Sequence, residues 1–272
     1  MPDTLSPPLK LICVGDPHLV PPGDALHGLD PEDRMRRCVA DIATHHADAF
    51  ACIVMGDLAH KADPDAYALF SRIITGLPMP VHLMIGNHDR RVLFTEWFPD
   101  TPRDPAGFVQ TAFDTPVGRF ILTDSVEEGQ NGGTYCAARL DWLRGELARA
   151  GDRDIFLFMH HPPFDIGLPF LDRIGQADKA ALADLLRGDR RIRHLFLAHI
   201  HRPLAGSWMG IPFSSARSLN HQVPLLFEDL PAVPKSHEPP SYSIALIDGE
   251  KVVVHIHDYL DRSRLPMPQP AS

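Results

Sequence analysis

Cysteine is scarce in this chain: Cys13, Cys38, Cys52 and Cys136 are the four among 272 residues, and no two stand at CxxC spacing. That argues against a disulfide framework and against a thiolate zinc site. Cys13 and Cys52 fall inside apolar runs, where a buried free thiol is the expectation. Long hydrophobic runs are also missing. No stretch approaches the roughly 18 apolar residues of a membrane-spanning helix. The opening MPDTLSPPLK has no basic segment leading into an apolar one, so no secretory signal is read and a cytoplasmic, reducing location is expected. Positive charge is in deficit, 26 basic against 35 acidic residues for a net charge of -9. A nucleic-acid polymer or an anionic membrane surface is therefore an unsuitable general partner.

What is present is an ordinary soluble composition, 44% hydrophobic and 22% charged, long enough for one sizeable α/β core. Two counts stand above the ordinary, 16 His and 27 Pro. The prolines are spread through loops and the C-terminal quarter, as fixed turns would be. The histidines matter only where they converge.

Taken in order, short apolar runs alternate with helical periodicity. Residues 9–14 form a strand ending in Gly15-Asp16-Pro17-His18, with Asp16 and His18 two apart and so on one side of an extended segment. Residues 31–46 carry helical spacing, with Asp30 as N-cap and Pro31 in the first position. Residues 49–55 form a second strand, stopped by Gly56-Asp57, and a helix over 64–75 follows. Residues 80–85 read as a third, buried strand delivering Gly86-Asn87-His88-Asp89. Residues 90–117 read as a short helix and an irregular segment, and 119–125 as a strand. An amphipathic helix over 140–149 follows. A strand over 154–159 ends in His160-His161-Pro162-Pro163, and after a helix over 178–186 a strand over 192–197 ends in Ala198-His199-Ile200-His201. The stretches 206–215 and 242–257 read as antiparallel sheet, with Asp248-Gly249 as a hairpin signal. Between them, 224–240 is a Pro-rich loop lying over something, and 261–272 a poorly ordered tail.

Five strand ends thus deliver Asp16 and His18, Asp57, Asn87 and His88, His160, and His199 and His201. Imidazole, carboxylate and amide oxygen without thiolate suit Fe, Mn, Zn or Co. Besides His88, these are seven ligands, which exceed one ion's ordinary coordination but fit two ions sharing a carboxylate.

This ordered set resembles the calcineurin-like metallophosphoesterases, and among them the class III cyclic-nucleotide and glycerophosphodiester phosphodiesterases. Secondary similarities are Pro64-Asp65-Ala66-Tyr67, the His-His-Pro-Pro segment and His221-Gln222-Val223-Pro224. The resemblance implies an α/β (α+β), four-layer αββα sandwich. It divides the chain into a catalytic part at 1–223 and a Pro-rich cap with a C-terminal β-hairpin at 224–272, which completes the sandwich within the same domain. It implies two divalent transition-metal ions: Asp16, His18, Asp57 and His201 would hold one, and Asp57, Asn87, His160 and His199 the other, with His161 as the alternative to His160. It implies hydrolysis of a small phosphodiester, a cyclic nucleotide or a glycerophosphodiester, by in-line attack of a hydroxide shared by the metals. His88 would lie beside the phosphate and Asp89 would orient it, with His60, His161 and His221 on the substrate side. Phosphomonoesterase or nuclease activity and a non-catalytic scaffold are the alternatives. A homo-oligomer of two or more chains is implied by resemblance only. Gly15 replaces the commoner Ser before Asp16, and Ala198 the commoner Gly before His199, changes that leave the ligands themselves intact. Specificity is expected from 21–29, the region of Trp97 and Phe98, the 161–170 loop and 224–240.

Overall fold

The periodicities resolve into eleven strands and six helices in a computed structural model that describes residues 7–261. The first sheet contains β1 (Leu9–Val14), β2 (Ala51–Val54), β3 (Val81–Leu83), β10 (Tyr242–Ile247) and β11 (Val252–His257), in the order β11-β10-β1-β2-β3. The second contains β4 (Thr111–Thr115), β5 (Gly118–Leu122), β6 (Ile155–Met159), β7 (Ile192–Leu197), β8 (Leu204–Trp208) and β9 (Ile211–Ser215), in the order β4-β5-β6-β7-β9-β8. The central strands β1-β2-β3 and β5-β6-β7-β9 run parallel, with antiparallel strands at the margins.

Side-chain alternation separates the layers. Leu11, Cys13, Ala51 and Ile53 face Phe120, Phe156, Phe158 and Phe196 between the sheets. Their sequence neighbours Ile12, Val14, Cys52 and Val54 face the opposite way, towards helix α1 (Pro31–His45) and helix α2 (Pro64–Ile74). On the second sheet Ile121, Leu157 and Leu195 turn outward to helix α4 (Ala137–Arg149) and helix α6 (Lys179–Leu186). The result is helix, sheet, sheet, helix, the four-layer sandwich. Aromatic rings fill the central layer; Phe158 and Phe196 stack with centroids 4.8 Å apart. A period of two places each strand residue in one core or the other, so both cores come from the same short runs.

Local chemistry sets the helix starts. Asp30 accepts from the Asp33 N–H at 3.0 Å ahead of Pro31, and Asp63 accepts from the Asp65 N–H at 2.8 Å ahead of Pro64. Two expectations need correction. The third strand is shorter than 80–85 and only half-buried, because β3 pairs with β2 alone at the margin of its sheet. The segment 90–117 holds more than helix α3 (Arg91–Trp97): it also contains β4, a marginal strand hairpinned onto β5. The remaining helix, α5 (Pro169–Asp172), is a single turn. The tail expected over 261–272 lies, beyond Asp261, outside the described residues.

The segment 224–240 crosses the C-terminal end of the strands as an irregular strap. Leu226, Leu230 and Val233 pack on Leu168, Phe170, Leu171, Ile200 and Val223. Arg173 binds Asp229 and the Leu230 carbonyl, and a Gln222–Ser236 bridge, with N···O 3.0 and 2.8 Å, ties the strap's two ends together. No helix among the described residues is long and apolar enough to cross a membrane.

Candidate metal centre

Five strands from the two sheets, β1, β2, β3, β6 and β7, end side by side, and the residues beyond them meet in one buried cluster. Asp16, His18, Asp57 and His201 bring one ligand atom each within 4.8 Å of one another, all buried. His160 Nε2 lies 3.5 Å from Asp57 Oδ2 and 3.1 Å from Asn87 Oδ1, and His199 Nδ1 lies 2.9 Å from the same amide oxygen. The seven residues expected as ligands are thus brought together, from segments up to 185 positions apart in the chain.

The backbone there is strained. Asp16, His18, Asp57, His199 and His201 have φ of 50°, 47°, 53°, 68° and 49°. The left-handed region is uncommon for residues with a Cβ, and it turns each side chain inward from the strand end. Gly56 and Gly86 make room. Gly56 has φ 97°, and a Cβ on Gly86 would stand 2.2 Å from Asp57 Oδ1. Gly86 is therefore required by close approach rather than by a turn conformation.

The hydrogen bonds on the outer ring nitrogens fix the inner ones. His160 donates from Nδ1 to the Met55 carbonyl at 2.8 Å, His199 from Nε2 to the Ile174 carbonyl at 3.0 Å, and His201 from Nδ1 to the His221 carbonyl at 2.9 Å. A carbonyl only accepts, so each ring carries its proton on the outside and turns a lone pair inward. His201 Nε2 then faces His18 Nε2 at 3.0 Å, while His160 and His199 face the Asn87 oxygen. The inward lone pairs of His160 and His199 against the Asn87 oxygen are an arrangement that a cation between them would stabilise. Outer nitrogens held by carbonyls are also the usual support of metal-bound imidazoles.

Electrostatics agree. Asp16 is pushed well up by burial and by Asp57, whereas in Asp57 the same burial is outweighed by His160 and His88 and its pKa falls. Burial holds His18 and His201 well below the ordinary imidazole value, and burial followed by His160 takes His199 down to about 3. Neutral imidazoles are ligands, and among the described residues neither Asp16 nor Asp57 pairs with Lys or Arg. The donor set fits two divalent cations of the Fe, Mn, Zn or Co kind. It lacks the thiolates of a structural zinc site.

Around the cluster opens a cleft of about 410 Å³, whose lining includes His60, His88 and His221 together with the apolar Phe170, Leu171, Ile174, Val223 and Val233. His88 reaches it with Nδ1 donating to the His60 carbonyl at 2.7 Å and its N–H donating to Asp57 Oδ1 at 2.8 Å. His60 stacks on His88, ring centroids 4.8 Å apart, and its Nδ1 lies 3.4 Å from His18 Nδ1, the one outer nitrogen of the four ring ligands not served by a carbonyl. Burial and His88 take His60 to about 4. His221 packs on His201 and His18, and burial followed by His27 takes it to about 3.

Three expected roles are corrected by position. Asp89 does not orient His88. Its buried carboxylate accepts from Gly86 N at 3.0 Å, Leu58 N and Ala59 N at 3.3 Å, and Tyr67 Oη at 2.9 Å, so it clamps the β2 and β3 loops to each other. Burial and Asp57 raise it to about 7. His161, expected on the substrate side, is not among the residues that line the cleft; its two ring nitrogens are engaged by Ser125 Oγ at 2.7 Å and the Asn131 carbonyl at 3.2 Å, and it stands with a ring nitrogen within 4.8 Å of those of His160 and His199. Trp97 and Phe98 line a separate hollow with Ile74 and Val81. A larger hollow of about 800 Å³, around Phe50, Pro116 and Ile247, lies at the opposite end of the strands, away from the ligands. Two cleft residues have no sequence signal: Arg173 and Lys235 are a helix-end arginine and a loop lysine whose meaning depends on where the strap lies.

Over 250 residues, 91% of each chain, the sequence is 40% identical to a probable cyclic nucleotide phosphodiesterase of Rhodopseudomonas palustris. Over 269 residues it is 28% identical to a probable glycerophosphodiester phosphodiesterase of Arcobacter nitrofigilis, covering 95% of this chain and 96% of that one. Among solved structures, a dimetal phosphatase from Danio rerio superposes with a TM-score of 0.71 at 14% identity, covering 94% of this chain and 98% of that one, a likeness of fold. The model of the calcineurin-like phosphoesterases matches residues 9–203, the span that carries every one of the converging ligands, and the chain belongs to that family.

Proposed function

We propose that the protein is a hydrolase of small phosphodiesters working with two divalent metal ions, and that 3',5'-cyclic nucleotides are its substrate class. The observation that carries it is the convergence of buried imidazole nitrogens with carboxylate and amide oxygens, where carbonyls hold the outer nitrogens of His160, His199 and His201 and leave their inner lone pairs to meet a cation. Asp16, His18, Asp57 and His201 would hold one ion and Asp57, Asn87, His160 and His199 the other, with Asp57 shared. When bound, such a pair supplies a nucleophile at neutral pH and neutralises phosphoryl charge.

The chain's own residues do the rest. His88 reaches the cleft with Nδ1 committed to the His60 carbonyl, which leaves Nε2 to face a phosphoryl or leaving oxygen. The apolar wall of Phe170, Leu171, Ile174, Val223 and Val233 offers a base-sized surface that a glycerol headgroup would not use. The cleft volume of about 410 Å³ lies in the small-molecule range, and the strap across it favours a compact substrate over a polymer. The relatives named above as cyclic nucleotide and glycerophosphodiester phosphodiesterases support the reaction class. Buried, unpaired Cys13, Cys38 and Cys52 suit a reducing cytoplasm, and an oligomer of two or more copies would use surfaces such as the marginal strand β11 with exposed Val253 and Ile256.

The test is turnover by Mn- or Fe-reconstituted protein on cyclic AMP, glycerophosphocholine, bis(p-nitrophenyl) phosphate and p-nitrophenyl phosphate, beside Asn87→Ala. Cyclic AMP should be preferred, and Asn87→Ala should lose one metal ion and at least about 100-fold in kcat/KM. No turnover of any ester by fully metallated protein would sink the enzyme assignment, and preference for the monoester would overturn the diester class.

A further inference from the structure

The strap carries a cation over the site that the metal chemistry does not account for. Lys235 lines the same cleft as Asp57, His60, His88 and His221. Among the described residues its ammonium makes no ion pair and no hydrogen bond, although the chain has 35 acidic side chains and most of its other cations are paired. Arg173, the other cation of the cleft, is already bound to Asp229 and the Leu230 carbonyl. Glu238, three residues on, is taken by Arg202 and Arg217.

The strap around Lys235 is anchored. The adjacent Ser236 pairs with Gln222, and His237 donates to the His27 carbonyl at 2.8 Å, which ties the strap to the loop after β1. Lys235 therefore stands on a held backbone where it lines the cleft. An unpaired ammonium lining this cleft, in a protein of net charge -9, is matched to an anion from solution.

We propose that Lys235 is a specificity-determining residue that binds an anionic phosphoryl oxygen of the substrate, so that the strap recognises the phosphate as well as covering the cleft. This rests on the diester-hydrolase function proposed above. Because it contributes charge rather than positioning of the reacting atoms, its loss falls on KM. A dianionic monoester loses more than a monoanionic diester.

The experiment uses metal-loaded full-length protein. Lys235→Met should raise KM for cyclic AMP about tenfold with kcat within about twofold, Lys235→Glu should raise it further, and Lys235→Arg should restore most of the loss. Lys251→Met, at the exposed β10–β11 turn, is the charge-matched control and should leave KM unchanged. Calorimetric titration with inorganic phosphate is the second arm, with binding about tenfold weaker in Lys235→Met. An unchanged KM, or a loss confined to kcat, overturns the assignment of Lys235. If wild type hydrolyses no diester, the diester function fails by itself, and the phosphate titration still decides for or against Lys235.

Discussion

Replacing Gly86 by alanine should dismantle the metal centre while sparing most of the fold. A Cβ at that position would stand 2.2 Å from Asp57 Oδ1, 2.5 Å from Asp57 N and 2.6 Å from His160 Cε1, where real contacts fall no closer than 3.0 Å. Asp57 must therefore retreat by about 1 Å, and His160 with it. Asp57 is the ligand proposed to be shared by both ions, and its Oδ1 also holds the His88 N–H at 2.8 Å, so one methyl disturbs every part of the site. A 1 Å misplacement of reacting groups costs on the order of 100-fold in rate, and overpacking a close-packed interior costs about 1–3 kcal/mol of stability. The assay is metal content per chain after reconstitution and desalting, with kcat/KM on bis(p-nitrophenyl) phosphate and a thermal melt. Gly249→Ala is the control, since a Cβ there meets nothing within 4 Å and the residue has no positive φ. If Gly86→Ala keeps two metal ions and a kcat/KM within threefold of wild type, the close-approach argument is wrong.

Two further outcomes follow from groups at and away from the ligands. His194 is buried with Nε2 against Ser214 Oγ at 2.8 Å, and burial lowers its pKa to about 4. The unfolded chain then binds the extra proton between the ordinary value near 6.5 and 4, so stability is lost as pH falls through that window, by roughly 3 kcal/mol in all. His194→Gln should flatten denaturant midpoints between pH 6.5 and 4, and an unaltered slope would refute the assignment. His60→Ala removes the side chain facing the outer nitrogen of His18 but keeps the carbonyl that holds His88. Affinity for one of the two metal ions should fall about tenfold while the other stays bound, and a metal titration with two unchanged steps would count against it.

The converging Asp, Asn and His residues were legible in sequence because each follows an apolar run at a strand's C-terminal end, where open α/β sheets place their chemistry. Within those runs the strand geometry turns Leu11 and Ile12, or Phe156 and Leu157, to opposite faces. The β10–β11 hairpin was signalled by Asp248-Gly249, but the glycine is not what shapes it. Asp248 accepts from the N–H groups of Glu250 and Lys251, each at 2.9 Å, and closes a four-residue turn. Asp89 shows the opposite failure. Adjacency to His88 suggested that it serves the imidazole, yet its acceptors are filled by Gly86, Leu58, Ala59 and Tyr67. A hydrogen-bond partner is set by where loops cross, and chain neighbours such as His160 and His161 are turned to different surroundings.

By itself, then, the sequence determined the alternation of strand and helix, the helix starts at Asp30-Pro31 and Asp63-Pro64, and the types of atom available for a metal. These are local matters: side-chain period, capping and donor chemistry act within a few residues. The tertiary structure alone decided that two sheets end at one place, that three imidazoles turn their lone pairs inward because carbonyls of Met55, Ile174 and His221 hold their outer nitrogens, and that a loop lysine faces the cleft. Such facts depend on groups far apart in the chain, and only the packing of the two sheets and the strap brings them within hydrogen-bond distance.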